Sequence, residues 1–398
     1  MSTALTEPGV IARRARIAVA VLFFTNGALF ANLLPRYPEI KADLGLSNAA
    51  FGSAVAAYPL GALVAGLSAG VLIRRFRSSR VAIVATWLAA AGFVAAGLAP
   101  AWIALAGALF VAGAMDSITD VAQNSHGLRV QRLYGRSVLN SFHAVWSMGA
   151  VLGGAMGAGL AALGLATSTH MIVSGVLFSA MSAASYRWLL PGAEPVETVD
   201  DEEAAPARRG SFGPAVVGLL LALVVIAAGG AVVEDAGASW AAIYLSGSLG
   251  ASTFVAGLGF IALQGLQFVG RLLGDPLVDR FGQRAVARAG GVVVLLGMGS
   301  ALLVPTVIGT IAGFGLAGLG IATLIPAAMH GADEIPGLAP GVGLTVVSWL
   351  LRVGFLAAPP IVGAVADATS LRAGLLVVPV AGMLVILFSG VLSTQRRG

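Results

Sequence analysis

PGAEPVETVDDEEAAPARRGS, residues 191–211, is the longest polar stretch in the chain. It is acidic, contains proline and is poor in apolar residues, a composition that reads as a flexible linker. On either side of it the sequence changes character. Six long apolar segments precede it, at 17–35, 50–72, 81–99, 102–124, 138–164 and 169–190, and six follow, at 213–246, 251–270, 286–304, 307–329, 341–366 and 372–392. A helix crosses the hydrocarbon core of a bilayer with about 20 apolar residues. The pattern therefore predicts an all-α membrane protein of twelve transmembrane helices in two pseudo-symmetric six-helix bundles. The expected domains are an N-terminal bundle at 1–190, a cytoplasmic linker at 191–212 and a C-terminal bundle at 213–398.

Composition agrees. Of 398 residues, 58% are hydrophobic and only 10% charged, and the mean hydropathy is +0.93. A water-facing surface needs more charge than that, which excludes an ordinary soluble enzyme. Long continuous apolar runs, not short alternating ones, disfavour a barrel. With no cysteine, disulfides, thiolate metal sites and cysteine nucleophiles are excluded.

The net charge of +5 comes from arginines scattered in the short loops. With the N-terminus inside, Arg13, Arg14 and Arg16, then Arg74, Arg75, Arg77 and Arg80, then Arg129, Arg132 and Arg136 all fall on one side. Arg187, Arg208, Arg209, Arg271, Arg280, Arg284, Arg288, Arg396 and Arg397 follow suit. Arg36, Lys41 and Arg372 fall outside. This bias predicts a multi-pass protein of the cell membrane with both termini cytoplasmic. The six-plus-six division also prompts a search for a repeat. A shift of 205 residues places Gly52 on Gly257, Arg75-Phe76 on Arg280-Phe281 and Gly149 on Gly354.

The most specific motif is GDPLVDRFGQR, Gly274 to Arg284, between the eighth and ninth segments. Asp275, Asp279, Arg280, Gly282 and Arg284 are its distinctive residues. Gly282 permits a tight turn. Asp279 is expected to cap or bridge to a neighbouring helix N-terminus, with Arg280 and Arg284 pairing with acids or facing lipid phosphates. The alternative is topogenic charge around a turn.

On this loop the chain resembles the major facilitator superfamily, whose signature is written G-x-x-x-D-R-x-G-R-R. The equivalent first-half loop, GVLIRRFRSSR at 70–80, keeps Gly70 and Arg75 but has Arg74 in place of the Asp and Arg77 in place of the Gly. LPRYPEIKADLGLSNAAFG (34–52), DVAQNSHGLRVQRLYGR (120–136), SFHAVWSMGAVLGG (141–154), EDAGASWAAIYL (234–245) and APPIVGAVADATSLR (358–372) are similar to the bacterial YbjJ-like branch. The resemblance implies a secondary transporter working by alternating access.

Charge inside a bilayer is costly, so each buried ionisable residue marks a candidate site. Asp116, Asp120 and Asn124 recur at i, i+4 and i+8 on one helical stripe, and His143 enters at similar depth. They are proton-coupling or gate candidates, or a stripe that caps the hairpin between segments four and five. Glu234 and Asp235, flanked by Gly229, Gly230 and Gly237, are expected near the outer face of a helix broken at those glycines. Trp240 and Tyr244 beyond them are expected in the interfacial aromatic belt. Arg352 falls near the midplane and is expected to meet Asp116, Glu234, Asp235 or an anionic substrate. Asn26, Tyr58, Trp146, Gln264, Gln267 and Trp349 complete the cavity candidates, with helix–helix glue as the alternative for each. Pro326, Pro359 and Pro360 are expected to bend their helices.

The activity expected is proton-coupled transport of a small organic solute, with protons and lipid as the other partners, no nucleic acid and a monomeric chain. A multidrug or metabolite exporter is the nearest rival. A non-transporting sensor or a membrane-embedded enzyme is the remoter one. No P-loop occurs, and no cofactor or metal is expected.

Overall fold

The computed structural model describes residues 8–135, 138–192, 213–336, 338–339 and 341–394. The linker beyond Gly192 and the topogenic Arg136, Arg208, Arg209, Arg396 and Arg397 lie outside the described residues. Within them every regular element is a helix, as a chain must be when lipid cannot satisfy its backbone polar groups. The first half holds α1 (Pro8–Leu33), α2 (Asn48–Gly66), α3 (Ser78–Gly97), α4 (Trp102–Tyr134), α5 (Leu139–Ala162) and α6 (Thr167–Tyr186). The second holds α7 (Pro214–Ile243), α8 (Thr253–Phe281), α9 (Gln283–Leu303), α10 (Val307–Asp333), α11 (Val342–Ala368) and α12 (Leu371–Val391). Eleven of these are long and apolar enough to cross a membrane; α6, of 20 residues, occupies the sixth expected segment.

Two corrections concern helix ends. α4 runs 33 residues without interruption, ten beyond its expected end. α7 passes straight through Gly229, Gly230 and Gly237 and ends in a π turn at Tyr244–Ser248. Those glycines are places of close packing, not breaks: a Cβ on Gly230 would press on Ile325, and one on Gly237 on Leu263 and Phe314. Proline does interrupt α10, which divides into Val307–Ile321 and Leu324–Asp333. The gap includes Ala322, whose carbonyl lies four residues before Pro326 and meets its ring. α11 carries Pro359 and Pro360 inside one helix.

The chain forms two compact units. One comprises Met1–Leu46, Ser53–Pro195 and Ser252–Gly257; the other comprises Ser47–Gly52, Val196–Ala251 and Leu258–Gly398. A core of the first gathers Val19, Leu22, Phe23, Ile118, Ala122 and Phe142, with the Phe23 and Phe142 rings stacked at 5.4 Å. In the second, Asp367 caps the first turn of α2. Its Oδ1 accepts from the backbone and side-chain amides of Asn48, both at 2.9 Å, and its Oδ2 from the Ala49 N–H at 2.8 Å.

The 205-residue repeat is written into the packing within each unit. A Cβ built on Gly113 of α4 would collide with the Tyr58 carbonyl and lie 3.0 Å from the Tyr58 Cα; one on Gly318 of α10 would collide with the Leu263 carbonyl and lie 3.0 Å from the Leu263 Cα. Both glycines and both partners are related by the same shift. Gly149 abuts the Phe24 backbone and Gly354, its equivalent, the Ala228 backbone, one residue off the same shift. Small residues let these helices approach to backbone contact.

Candidate functional site

Four helices of the first unit converge on one carboxylate. Asn26 of α1 donates from Nδ2 to Asp116 Oδ1 at 2.5 Å. Trp146 of α5 donates from Nε1 to Asn26 Oδ1 at 2.7 Å. The Tyr58 hydroxyl of α2 hydrogen-bonds to Asp116 itself, and the Tyr58 ring lies between Phe30 and Phe93 at 5.3 and 6.0 Å. Glycines make the convergence possible. Gly113 brings α4 against the Tyr58 backbone, while Gly27 and Gly149 close α1 on α5. Counted from the start of α2, Tyr58 sits about 15 Å deep, near the middle of a bilayer. Asp116 is half-buried, and its partners are neutral donors with no cation paired to it among the described residues. The structure thus joins four residues that the sequence placed in two separate groups.

The remainder of the α4 stripe differs. Asn124 donates to Asp120 Oδ1 at 2.9 Å, one turn away on the same helix. His143 is exposed and stands edge-on to Phe23 at 5.2 Å.

In the second unit Gln267 of α8 donates from Nε2 to Glu234 Oε2 at 3.0 Å, and Ser239 donates to Asp235 at 3.4 Å. The acids are half-buried. Gln267 lies about 21 Å along α8, so its bond fixes Glu234 in the membrane interior, not at the outer face as expected. Trp240 and Tyr244 are also corrected: they are 0% and 1% exposed, and Trp240 packs edge-on against Phe51 at 5.7 Å. Neither belongs to an aromatic belt. Gln264 Nε2, Gln267 Oε1 and Trp240 Nε1 are buried with no hydrogen-bond partner.

Arg352 is exposed, with no acid paired to it among the described residues, and Trp349 beside it is 50% exposed. Gly354 packs on the Ala228 backbone, and α7 and α11, both odd-numbered, run parallel. Arg352 therefore sits about 12 Å along the helix direction from Glu234, too far to close the expected ion pair.

The 274–284 motif is also placed differently. Asp279 and Arg280 belong to the last turn of α8, not to a loop beyond it. Arg284 donates from Nε to the Leu392 carbonyl at 3.0 Å and from its backbone to Ser393 O at 3.0 Å. It caps the C-terminal end of α12 and pairs with no acid among the described residues. Arg280 lies over the Phe281 ring at 5.2 Å, and Asp275 and Asp279 are exposed. No cluster of three metal-ligating side chains occurs among the described residues.

A family model described as Major Facilitator Superfamily matches residues 19–233. The chain belongs to this superfamily. It is a multi-pass membrane transporter of a small solute and not an enzyme. The membrane protein MosC of Rhizobium meliloti is 28% identical over 381 residues, covering 96% of this chain and 91% of that protein. Among solved structures, a bacterial homologue of the human lysosomal transporter Spinster superposes with a TM-score of 0.73 at 14% identity, covering 98% of this chain and 97% of that one. A D-xylose–proton symporter superposes with a TM-score of 0.70 at 16% identity, over 95% and 96% of the two chains. At these identities the structures establish the facilitator fold.

One polar constellation escaped the sequence. Arg36, expected outside, is 1% exposed. It donates from Nε to His170 Nδ1 at 3.1 Å, from NH1 to Glu39 at 2.7 Å and from NH2 to the Leu165 carbonyl at 2.7 Å. Arginine is always a donor, so His170 Nδ1 is the bare nitrogen. Nε2 then carries the proton and donates to Asn32 Oδ1 at 2.7 Å. Ser174 donates to the same oxygen at 3.1 Å. The imidazole is neutral and its tautomer fixed, a brace between the C-terminal end of α1 and the N-terminal end of α6. The rarity of histidine, four in the chain, is the one signal that pointed there.

Proposed function

We propose that this transporter couples solute movement to protons through Asp116, by alternating access of the bundles 1–190 and 213–398 around a midplane site. The observation that carries this reading is the carboxylate's set of partners. Asn26 and Tyr58 are neutral groups, and neutral donors tolerate both the ionised and the protonated acid. A fixed cation would hold it ionised throughout a cycle. Trp146 and Asn26 link the acid to α5 and α1, so a change of its protonation is felt on three other helices. The symporter named above supplies the analogy. Arg352, unpaired among the described residues and with Trp349 one turn away, favours a small organic solute with an anionic group. The arginine bias supports reading both termini and the 191–212 linker as cytoplasmic and the chain as a cell-membrane protein.

The test is proton flux in proteoliposomes with a pH-sensitive dye, using a panel of organic acids first ranked by thermal shift. Wild type acidifies or alkalinises the lumen with a matching solute. Asp116→Asn abolishes that flux but retains solute exchange between the two sides. Undiminished proton flux in Asp116→Asn overturns the assignment.

A further inference from the structure

We propose that the segment from Leu67 to Arg80 is a docking site for anionic phospholipid headgroups, and that Arg77 is retained for its charge against the preference of its own backbone. The segment joins α2 to α3 through an eight-residue helix, Ala69–Phe76. Ala69 and Ile73 are buried in the first unit and anchor it. Leu72 packs half-buried against the same core, and Ser78 and Ser79 are buried at the start of α3; the other large side chains face outward. Leu67, Val71 and Phe76 are 79%, 57% and 46% exposed, and Arg74, Arg75, Arg77 and Arg80 are all exposed. No acid occurs between Leu67 and Arg80, and none of the four arginines has an acid partner among the described residues. Arg75 lies over the Phe76 ring at 5.6 Å, so charge and apolar surface are interleaved. Apolar residues that enter the acyl boundary beside cations that meet phosphate are what a headgroup layer binds.

The repeat supplies a second, independent observation. The matching segment of the other half holds Asp275 and Asp279 against Arg280 and Arg284, and Arg284 is spent on the α12 carbonyl. Its turn residue is Gly282, with φ 82 and ψ 154. Arg77 occupies the equivalent position with φ 75 and ψ 143, a region that is almost closed to residues with a Cβ. It is the one non-glycine residue with positive φ among the described residues. The first half has thus exchanged an acid and a turn glycine for two further arginines, and it carries the backbone strain of one of them. A turn alone is better served by glycine. A phosphate-binding surface explains the exchange.

The experiment uses the full chain in nanodiscs containing photoreactive phosphatidylglycerol or photoreactive phosphatidylcholine, with labelled peptides mapped by mass spectrometry. Labelling at 67–80 is expected to favour phosphatidylglycerol in wild type. The preference falls about fivefold in Arg77→Gly and roughly a hundredfold when Arg74, Arg75 and Arg80 are all changed to Gln, while labelling at 274–284 does not change. Arg77→Gly relieves strain and therefore folds, which keeps the test decisive if the triple variant does not. Equal labelling by the two lipids, or an unchanged preference in Arg77→Gly, overturns the proposal. So does competition by excess inorganic phosphate, which would make this a site for free anions. Cross-linking of 67–80 to the acidic run 200–203 in place of lipid would give the cluster to the linker instead.

Discussion

Gly113→Ala tests whether backbone-to-backbone contact fixes the Asp116 site. The added Cβ would overlap the Tyr58 carbonyl and sit 3.0 Å from its Cα, and neither obstacle is the free end of a side chain. Relief requires α4 and α2 to separate by roughly an ångström along the whole contact, at a cost of about 1–3 kcal/mol as for other overpacked positions. Weak Cα–H···O contacts across the seam add about 0.5–1 kcal/mol when they are lost. Two controls come from the structure. Gly107, on the same helix, has nothing within 4 Å of its hypothetical Cβ, so Gly107→Ala is expected to stabilise by about 0.5–1 kcal/mol through helix propensity. Gly318→Ala repeats the Gly113 collision in the other unit against Leu263 and should cost about the same. Purified variants are melted in detergent and followed by tryptophan fluorescence. The expected order of Tm is Gly107→Ala above wild type, with Gly113→Ala and Gly318→Ala together below it. Of that pair, only Gly113→Ala should also impair proton flux, since Tyr58 is an Asp116 partner. If Gly113→Ala melts with Gly107→Ala, the close approach does not set the packing and the reasoning fails.

Asp116→Asn should separate exchange from proton flux in the liposome assay described above, with exchange within a few-fold of wild type. His170→Ala removes the acceptor of the buried Arg36 Nε and a donor to Asn32, so it should cost about 2–3 kcal/mol; an unchanged Tm would show that the brace contributes nothing. Arg77→Gly should raise the Tm in neutral detergent by relieving about 1–3 kcal/mol of strain, less about 0.5–1 kcal/mol for glycine's greater freedom when unfolded. A lower Tm in that detergent would mean that Arg77 makes a structural contact.

The architecture was legible because bilayer thickness imposes one length on every crossing. Twelve apolar runs suffice for it, and the shift of 205 matched Gly149 with Gly354, each of which the structure packs against a neighbouring helix backbone. Depth was less legible. Glu234, Trp240 and Tyr244 were counted outward from the start of α7, yet that helix, with its π turn, extends well past one bilayer thickness. Only the Gln267 bond from a neighbouring helix sets the true register. Asp116 was found because an acid in an apolar run is conspicuous. Its alliance with Asn26, Tyr58 and Trp146 was not, because it depends on which glycines admit which helices. Arg284 was expected to pair with an acid or to face lipid phosphates. It takes a carbonyl because a helix end presents unpaired acceptors that no charge pattern reveals. Arg36 was assigned to the outer loop by topology, and nothing in the local sequence announces its burial.

α4 is a single rod of 33 residues, about 50 Å long. Asp116 sits near its middle. Towards its far end Arg129 donates to the Pro191 carbonyl at 2.7 Å, at the root of the linker. Asp116 and Arg129 are about 20 Å apart along the rod. A tilt of about 10° pivoting at the carboxylate would carry the arginine and its proline sideways by about 3 Å. On the proposed role of Asp116, its protonation would be transmitted along one continuous helix to the Pro191 carbonyl, with no break in the helix in between.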